Sequence, residues 1–311
     1  MRKPEKSSRT VRALFWQLLA MAAVLALLGW LAFNTAQNMQ ARGIQSGFDF
    51  LSQPAGFDIS ETVLYFDADR PYWQAFAAGA LNTLRVAALG CGLITVLGTA
   101  IALGRRSRNP LLRGLCAAYV ELFRNIPVLL QLLMWYLLLA QALPPIGEAR
   151  TLGPLALDKS GLAWVLNADG DTLFTATPEF LAVLLGLTLY TAAFVAEVVR
   201  AGLQAVPRGQ VEAAAALGLS RAQALRRVVL PQALRVIIPP LTNQYLNLTK
   251  NSSLAVAIGY PDVVSIANTA LNQTGRALEC IALIMAVYLC TSLATAAFMG
   301  WFNARAAIRE R

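Results

Sequence analysis

Lys250 is the residue of this chain whose surroundings point most directly to chemistry. It lies within an otherwise apolar stretch, residues 236–260, that is long enough to cross a membrane. A lysine at the centre of such a helix costs about 2.5–3.5 kcal/mol, so it usually lines a cavity or has a partner. In a cavity, its ammonium group could bind the carboxylate of a substrate. The alternatives are an ion pair with Glu197 or another acid, and extension of the side chain to the membrane surface.

Further polar residues in apolar stretches extend this set. Pro239 and Pro240 are predicted to break the helix and free backbone carbonyls, which together with Lys250 indicates a polar cavity at mid-membrane. Asn125 and Gln131 lie on either side of a proline, six positions apart, so they need not share one helix face. The residues predicted to line a substrate path are Lys250, Asn251, Ser252, Gln131, Asn125 and Glu197.

Two arginines in apolar stretches have simpler interpretations. Glu197 and Arg200 are one helical turn apart, a spacing typical of an intrahelical ion pair, and the alternative is a gate in the path. Arg85 is interpreted as a marker of the outer membrane interface, with the apolar span beginning at residue 86.

The composition excludes several kinds of chemistry. The chain contains no histidine, and its four cysteines stand in apolar stretches without metal-ligand spacing, so we predict no catalytic residue and no metal site. No G-x-x-x-x-G-K-[ST] segment is present to cradle phosphates, so the chain is not expected to bind ATP or another cofactor itself. The cysteines are predicted to be buried small hydrophobic residues.

The elements that must position these residues are membrane helices. Of the 311 residues, 57% are hydrophobic and only 14% charged, against about a quarter charged in soluble domains. The net charge of +9 is concentrated at the ends of apolar stretches, which indicates membrane topology and not nucleic-acid binding. Six apolar spans are predicted, at residues 13–33, 76–104, 115–143, 180–199, 236–260 and 281–302. The first is too long for a signal peptide and lacks a clear cleavage site, so we expect a retained anchor.

The arginine distribution predicts the orientation of these spans. Arginine-rich segments are expected on the cytoplasmic side, and the acidic segments 34–75 and 144–178 on the periplasmic side. The second acidic segment is expected to form a small loop or hairpin. The predicted organisation is a cytoplasmic tail (1–12), an anchor (13–33), a periplasmic segment (34–75), a five-helix core (76–302) with the insert 144–178 and a cytoplasmic loop at 207–231, and a second cytoplasmic tail (303–311).

The cytoplasmic loop carries a distinctive motif. Glu212, Ala213, Ala214 and Gly218, followed by Val228, Leu230 and Pro231, resemble the EAA loop of ATP-binding-cassette (ABC) importer permeases, with valine in place of the usual isoleucine. The alanines favour a helix, glycine can end it in the left-handed conformation, and Ser220 with Gln223 has the spacing of a capping box. We predict a helix–turn–helix along the membrane surface. An ordinary amphipathic surface helix is the alternative.

The resemblance extends over about residues 45–305. Residues 123–131, 190–200, 206–210, 230–235 and 250–254 are similar to segments of the permeases that import polar amino acids, and most of all to those for general L-amino acids or for glutamate, glutamine and aspartate. At the last of these segments Asn251 and Ser252 depart from the family pattern. The fold implied is an all-α polytopic membrane protein, the transmembrane domain of a type I ABC importer with an N-terminal anchor helix.

The resemblance also implies the partners. They are a cytoplasmic ABC ATPase dimer that hydrolyses ATP, a second permease subunit that is different or identical, and a periplasmic amino-acid-binding protein, all at a bacterial inner membrane. Glu212, Ala213, Ala214 and Gly218 are implied to contact the ATPase. An ion-driven secondary transporter is the alternative function, but such folds carry paired broken helices in inverted halves, and the sequence predicts a single broken helix without a repeat. A membrane scaffold without transport is a third.

Overall fold

The computed structural model describes residues 5–43, 46–165 and 172–306. The predicted tails 1–12 and 303–311 and the insert 144–178 lie partly outside these ranges. The fold is mostly helical, as predicted. Its helices are α1 (Glu5–Ala41), α2 (Tyr72–Gly104), α3 (Pro110–Asn125), α4 (Val128–Ala142), α5 (Pro178–Gln204), α6 (Arg208–Ala216), α7 (Arg221–Ala224), α8 (Leu230–Asn251), α9 (Val263–Thr274) and α10 (Ala277–Ala306).

The predicted count of six spans agrees with the structure when each bent helix pair counts as one span. Within the described ranges, α1, α2, α5 and α10 are each long and apolar enough to cross a membrane. Helices α3 and α4 form one pair, bent by 106°, and the chain from Arg221 to Thr274 forms another, bent by 50°. The predicted span 115–143 is therefore wrong as a continuous helix. Helix α3 ends at Asn125 because Ile126 precedes a proline and takes an extended conformation (φ −100°, ψ 129°).

The second bend lies at a different place from the one predicted. Helix α8 continues through Pro239 and Pro240, so the expectation that they break the helix is wrong. Proline's fixed φ is compatible with a helix, and membrane helices tolerate the lost hydrogen bonds when neighbours compensate. The helix instead tightens into a 3₁₀ segment, Ser252–Ile258, and turns at Gly259, whose φ of +80° suits glycine.

The described part of the insert forms a small sheet, where a loop or hairpin was predicted. Strands β1 (Arg150–Leu152), β2 (Leu155–Asp158), β3 (Gly161–Val165) and β4 (Thr172–Ala176) form an antiparallel sheet in chain order. In the tight β2–β3 turn, the Asp158 carboxylate accepts a hydrogen bond from the Ser160 backbone N–H at 2.7 Å and another from its hydroxyl group. The Ser160 hydrogen bonds hold the pKa of Asp158 below its usual value.

The core forms where α2, α5 and α8 pack closely. A Cβ atom added at Gly98 would lie 2.6 Å from Val195 Cγ1, and one at Gly90 would lie 3.0 Å from Leu248 Cδ2. Small residues at such contacts let membrane helices approach each other. By contrast, α1 and α10 are barely covered by the rest of the described chain. In the most apolar 18-residue stretch of each helix, no residue of α1 and only 6% of the residues of α10 are buried. These two helices therefore expose their apolar faces to lipid or to other chains.

Candidate translocation path and coupling surface

Lys250 lies at the end of α8, next to the second bend. The residue is exposed and lines a cavity of about 380 Å³ together with Ser253, Val264, Ile284 and Tyr288. Within the described residues, no acidic side chain forms an ion pair with its ammonium group. The alternative of a pair with Glu197 is wrong, because that carboxylate is bound by two arginines. The ammonium group is therefore available to a carboxylate that enters the cavity.

The residues after Lys250 serve mainly the end of the helix. Ser252 is 1% exposed, and its hydroxyl group donates to the Thr249 carbonyl at 2.7 Å. The Ser253 hydroxyl group donates to the Lys250 carbonyl, also at 2.7 Å. Asn251 is half-buried at the start of the 3₁₀ segment. Ser253 thus joins Lys250 at the cavity, whereas neither Asn251 nor Ser252 is among its lining residues.

Gln131 stabilises the bend between α3 and α4. Its side chain is buried, and the amide Nε2 donates to the carbonyls of Phe123 and Ile126, both at 2.9 Å. Asn125 is exposed and donates to the Glu121 carbonyl of its own helix at 2.7 Å. The structure therefore does not bring these two predicted path residues into the cavity beside Lys250.

Glu197 joins the ends of α2 and α5. It accepts hydrogen bonds from Arg105, which follows α2, and from Arg200 at 2.6 Å. The predicted Glu197–Arg200 pair is present. The sequence analysis missed Arg105, which is 92 positions away in the chain. A positively charged residue directly after an apolar span was the available signal, but it does not identify the partner.

The predicted helix–turn–helix is formed by α6, a turn and α7. Gly218 in the turn has φ +77°, and nothing lies within 4 Å of an added Cβ atom. The predicted capping box is present: the Ser220 N–H donates to Gln223 Oε1 at 2.9 Å, and the Gln223 N–H donates to Ser220 Oγ at 3.3 Å. The turn and the cap are therefore formed by the residues that the local sequence predicts.

Exposure divides the residues of the motif into two groups. Glu212, Ala213 and Gly218 are exposed, but Ala214 is only 3% exposed because it packs within the chain. Leu217, which the sequence analysis did not select, is 81% exposed at the end of α6. A leucine beside the glycine that ends a surface helix was the signal for it. On this surface Leu217 is therefore accessible to a docking partner, whereas Ala214 is buried.

A second ion pair, which is more deeply buried, joins a residue within α2 to the segment before that helix, close to the start of α5. Glu61 accepts hydrogen bonds from Arg85 at 2.5 Å and from the Thr177 backbone N–H at 3.2 Å and hydroxyl at 2.5 Å. The Arg85 guanidinium lies 4.1 Å from the ring centroid of Phe180, within the range of a cation–π interaction. Arg85 lies within α2, which begins at Tyr72, so the helix itself starts before the apolar span predicted to begin at residue 86. The position of Arg85 at the outer membrane interface stays a prediction.

A third contact fastens the segment before α2 to the start of α10. Asp49 accepts hydrogen bonds from Arg276 at 2.5 and 2.9 Å, and Arg276 also donates to the Gly47 carbonyl. The Gly47 N–H donates to Glu279 at 2.6 Å. The guanidinium group holds the pKa of Asp49 below its usual value. This contact joins parts of the chain 227 positions apart.

Together these features define a helical membrane component with a cavity at a bend, lined by one lysine, and an exposed surface motif. The described residues include no group of three or more cysteine or acidic side chains that could hold a metal ion. Comparison with known families agrees. The family described as the inner-membrane component of binding-protein-dependent transport systems matches residues 94–308, and the chain belongs to it. This confirms the resemblance found in the sequence, and a transport component is not an enzyme.

Individual relatives match over nearly the whole chain. The putative amino-acid ABC transporter permease YhdX of Escherichia coli K12 is 41% identical over 97% of this chain and 96% of the relative. The general L-amino acid transport system permease AapQ of Rhizobium johnstonii is 39% identical over 96% and 93%. A crystal structure of an amino acid ABC transporter with histidines covers 75% of this chain and 95% of that chain, with 29% identity and a TM-score of 0.59. The methionine transporter MetNI, at 18% identity and a TM-score of 0.57, shows the fold alone.

Proposed function

We propose that this chain is the permease subunit of an ATP-driven importer for polar L-amino acids, either a broad range or glutamate, glutamine and aspartate. The observation that carries the proposal is Lys250, an ammonium group without an ion-pair partner in the described chain, at a cavity beside a helix bend. Every L-amino acid has an α-carboxylate that such a group can bind. The printed names of relatives, permeases for general L-amino acids and for glutamate, glutamine, aspartate and asparagine, support this substrate class.

The proposed orientation places both chain ends in the cytoplasm. The arginine-rich ends of the spans support it, and the acidic segments 34–75 and 144–178 then face the periplasm. In this proposal the tails are residues 1–12 and 303–311, the anchor is 13–33 and the core is 76–302, as predicted from the sequence. In this orientation the four-stranded sheet and the Glu61–Arg85 pair lie on the side from which a periplasmic binding protein delivers the substrate.

We further propose that a cytoplasmic ATPase dimer binds the loop 207–231 through Glu212, Ala213, Gly218 and the exposed Leu217. The partner ATPase holds ATP and Mg²⁺, and this chain binds no cofactor. A second permease subunit, different or identical, completes the path. The exposed apolar face of α10 supports such a subunit contact.

Helix α8 provides a mechanical connection between the two sites. The loop continues through a π-helical turn, Leu225–Val229, directly into α8. Helix α8 has 22 residues, about 33 Å in length, and Lys250 lies at its far end. A shift of the loop on ATP binding would therefore tilt α8 and move the ammonium group relative to α9 and α10. The motion of the ATPase would then reach the substrate path mechanically, without a chemical reaction in this chain.

The test is substrate uptake by Lys250→Met in proteoliposomes that contain the ATPase, both permease subunits and the binding protein. A charge-assisted hydrogen bond contributes about 1.5–3 kcal/mol, so the concentration for half-maximal uptake should rise about 10- to 150-fold. Lys159→Met, which removes an exposed lysine from the β2–β3 turn, is the matched control. Basal ATP hydrolysis should persist in both variants. Unchanged uptake by Lys250→Met would place the substrate contact elsewhere.

A further inference from the structure

A cavity of about 820 Å³ lies behind the loop that carries the surface motif. Five arginines line it, and we call it the arginine cavity: Arg105, Arg106, Arg113, Arg208 and Arg221. They come from the end of α2, the first turn of α3 and the first residues of α6 and α7. Arginines at four separate elements thus line one space, which no local sequence pattern indicates.

The charge of the arginine cavity is largely uncompensated. Arg105 is paired with Glu197. The other four arginines are exposed and form no ion pair within the described ranges, and none of the lining residues is acidic. Guanidinium groups bind phosphate oxygens through paired N–H donors. A cavity with this charge fits an anion, and a phosphate group fits its chemistry best.

The other residues that line the arginine cavity favour a lipid over a free ion as its ligand. Apolar side chains also line the cavity, among them Leu203, Val206, Leu225 and Val229. The cavity lies at the ends of the membrane helices α2 and α5 and just before α8. Its volume is typical of a site for an organic ligand and not of a simple ion. Basic pockets between the ends of membrane helices are suited to anionic lipid headgroups.

We propose that the arginine cavity binds the phosphate headgroup of an anionic phospholipid. On α6, Val211 and Ala215 share the cavity face at a spacing of four residues. The exposed Glu212 and Ala213 are not among the lining residues, so the ATPase surface and the lipid site use different faces of α6. A bound headgroup joins α2, α3, α6 and α7 and so fixes the loop against the bilayer surface. The site does not depend on the identity of the transported substrate.

The test is native mass spectrometry of the purified complex with its ATPase, titrated with phosphatidylglycerol or with phosphatidylcholine. Each arginine near a membrane surface contributes about a fivefold gain in affinity for anionic lipid. The double variant Arg106→Gln/Arg113→Gln should therefore bind phosphatidylglycerol about 25-fold more weakly. Arg108→Gln is the matched control, because Arg108 is exposed between the two positions but does not line the cavity. Each single variant should show about a fivefold loss, so the comparison stands even where the double variant assembles poorly.

Three outcomes would overturn the proposal. The first is equal phosphatidylglycerol binding by the double variant and the control. The second is competition by millimolar inorganic phosphate with no preference between the two lipids, which would assign the cavity to a free anion. The third is loss of the lipid adduct whenever the ATPase is bound, which would assign the cavity to the partner protein. The readout is binding and not uptake, so a failure here is separate from a failure of the proposed transport function.

Discussion

Removal of the Glu61 carboxylate should destabilise the fold more than any single surface charge does. Its side chain is 5% exposed and that of Arg85 15%, so Glu61→Ala leaves a guanidinium group buried without its partner. Such a loss costs about 3–5 kcal/mol. The same change also removes the acceptor for the Thr177 backbone N–H and hydroxyl group.

Glu61→Gln should have an intermediate effect. One carboxylate oxygen accepts from Arg85 and the other from Thr177, so both sides of the group face donors. A glutamine presents an NH₂ group to one of these sides, and the Thr177 backbone N–H cannot rotate away. We expect a loss of about 1–3 kcal/mol, the cost of an unsatisfied buried polar group. The double variant Glu61→Ala/Arg85→Ala should lose less than the sum of its single variants.

The assay is unfolding of the purified protein in mixed micelles of increasing SDS content, followed by tryptophan fluorescence. The matched control is Asp67→Ala, which breaks the exposed Arg70–Asp67 pair at 3.6 Å. That change should cost less than about 1 kcal/mol. If Glu61→Ala lowers the free energy of unfolding no more than Asp67→Ala does, the Glu61–Arg85 pair does not hold the segment before α2 to α2 and α5.

The remaining predictions concern the surface motif and pH. Gly218→Val should impair ATP-dependent uptake, because a side chain at φ +77° strains the turn by about 1–2 kcal/mol although the space is open. The control Gly56→Val, with φ +71° and equally open surroundings, should keep uptake. Equal losses of uptake in both variants would refute a specific role of Gly218 in coupling. The Asp49–Arg276 contact should stabilise the fold above the unfolded carboxyl pKa, about 3.9, and lose this effect as the pH falls through the lowered pKa of the folded state. Thermal unfolding of Asp49→Asn should accordingly depend less on pH below 4 than that of the parent protein, and identical pH profiles would contradict the assignment.

Features set by neighbouring residues could be predicted from the sequence. Gly218 ends α6, and Ser220 with Gln223 caps α7, because both depend on backbone conformation and contacts within four positions. The apolar spans follow from composition over about 20 residues. The place of the second bend could not be derived in this way. Pro239 and Pro240 remain inside α8, where packing outweighs local preference, and the chain turns later, at Gly259.

The sequence alone therefore determined that this chain spans a membrane, that it carries a loop of the permease type, and that Lys250 lies in an unusual position. The tertiary structure decided which charges meet. Glu61 is joined to Thr177 across 116 positions, and Arg105 to Glu197 across 92. It also decided that Ala214 is buried beside the exposed Leu217, and that five arginines surround one cavity. Each of these depends on how separate helices approach one another, and that approach is set by packing across the whole core and not by any local run of residues.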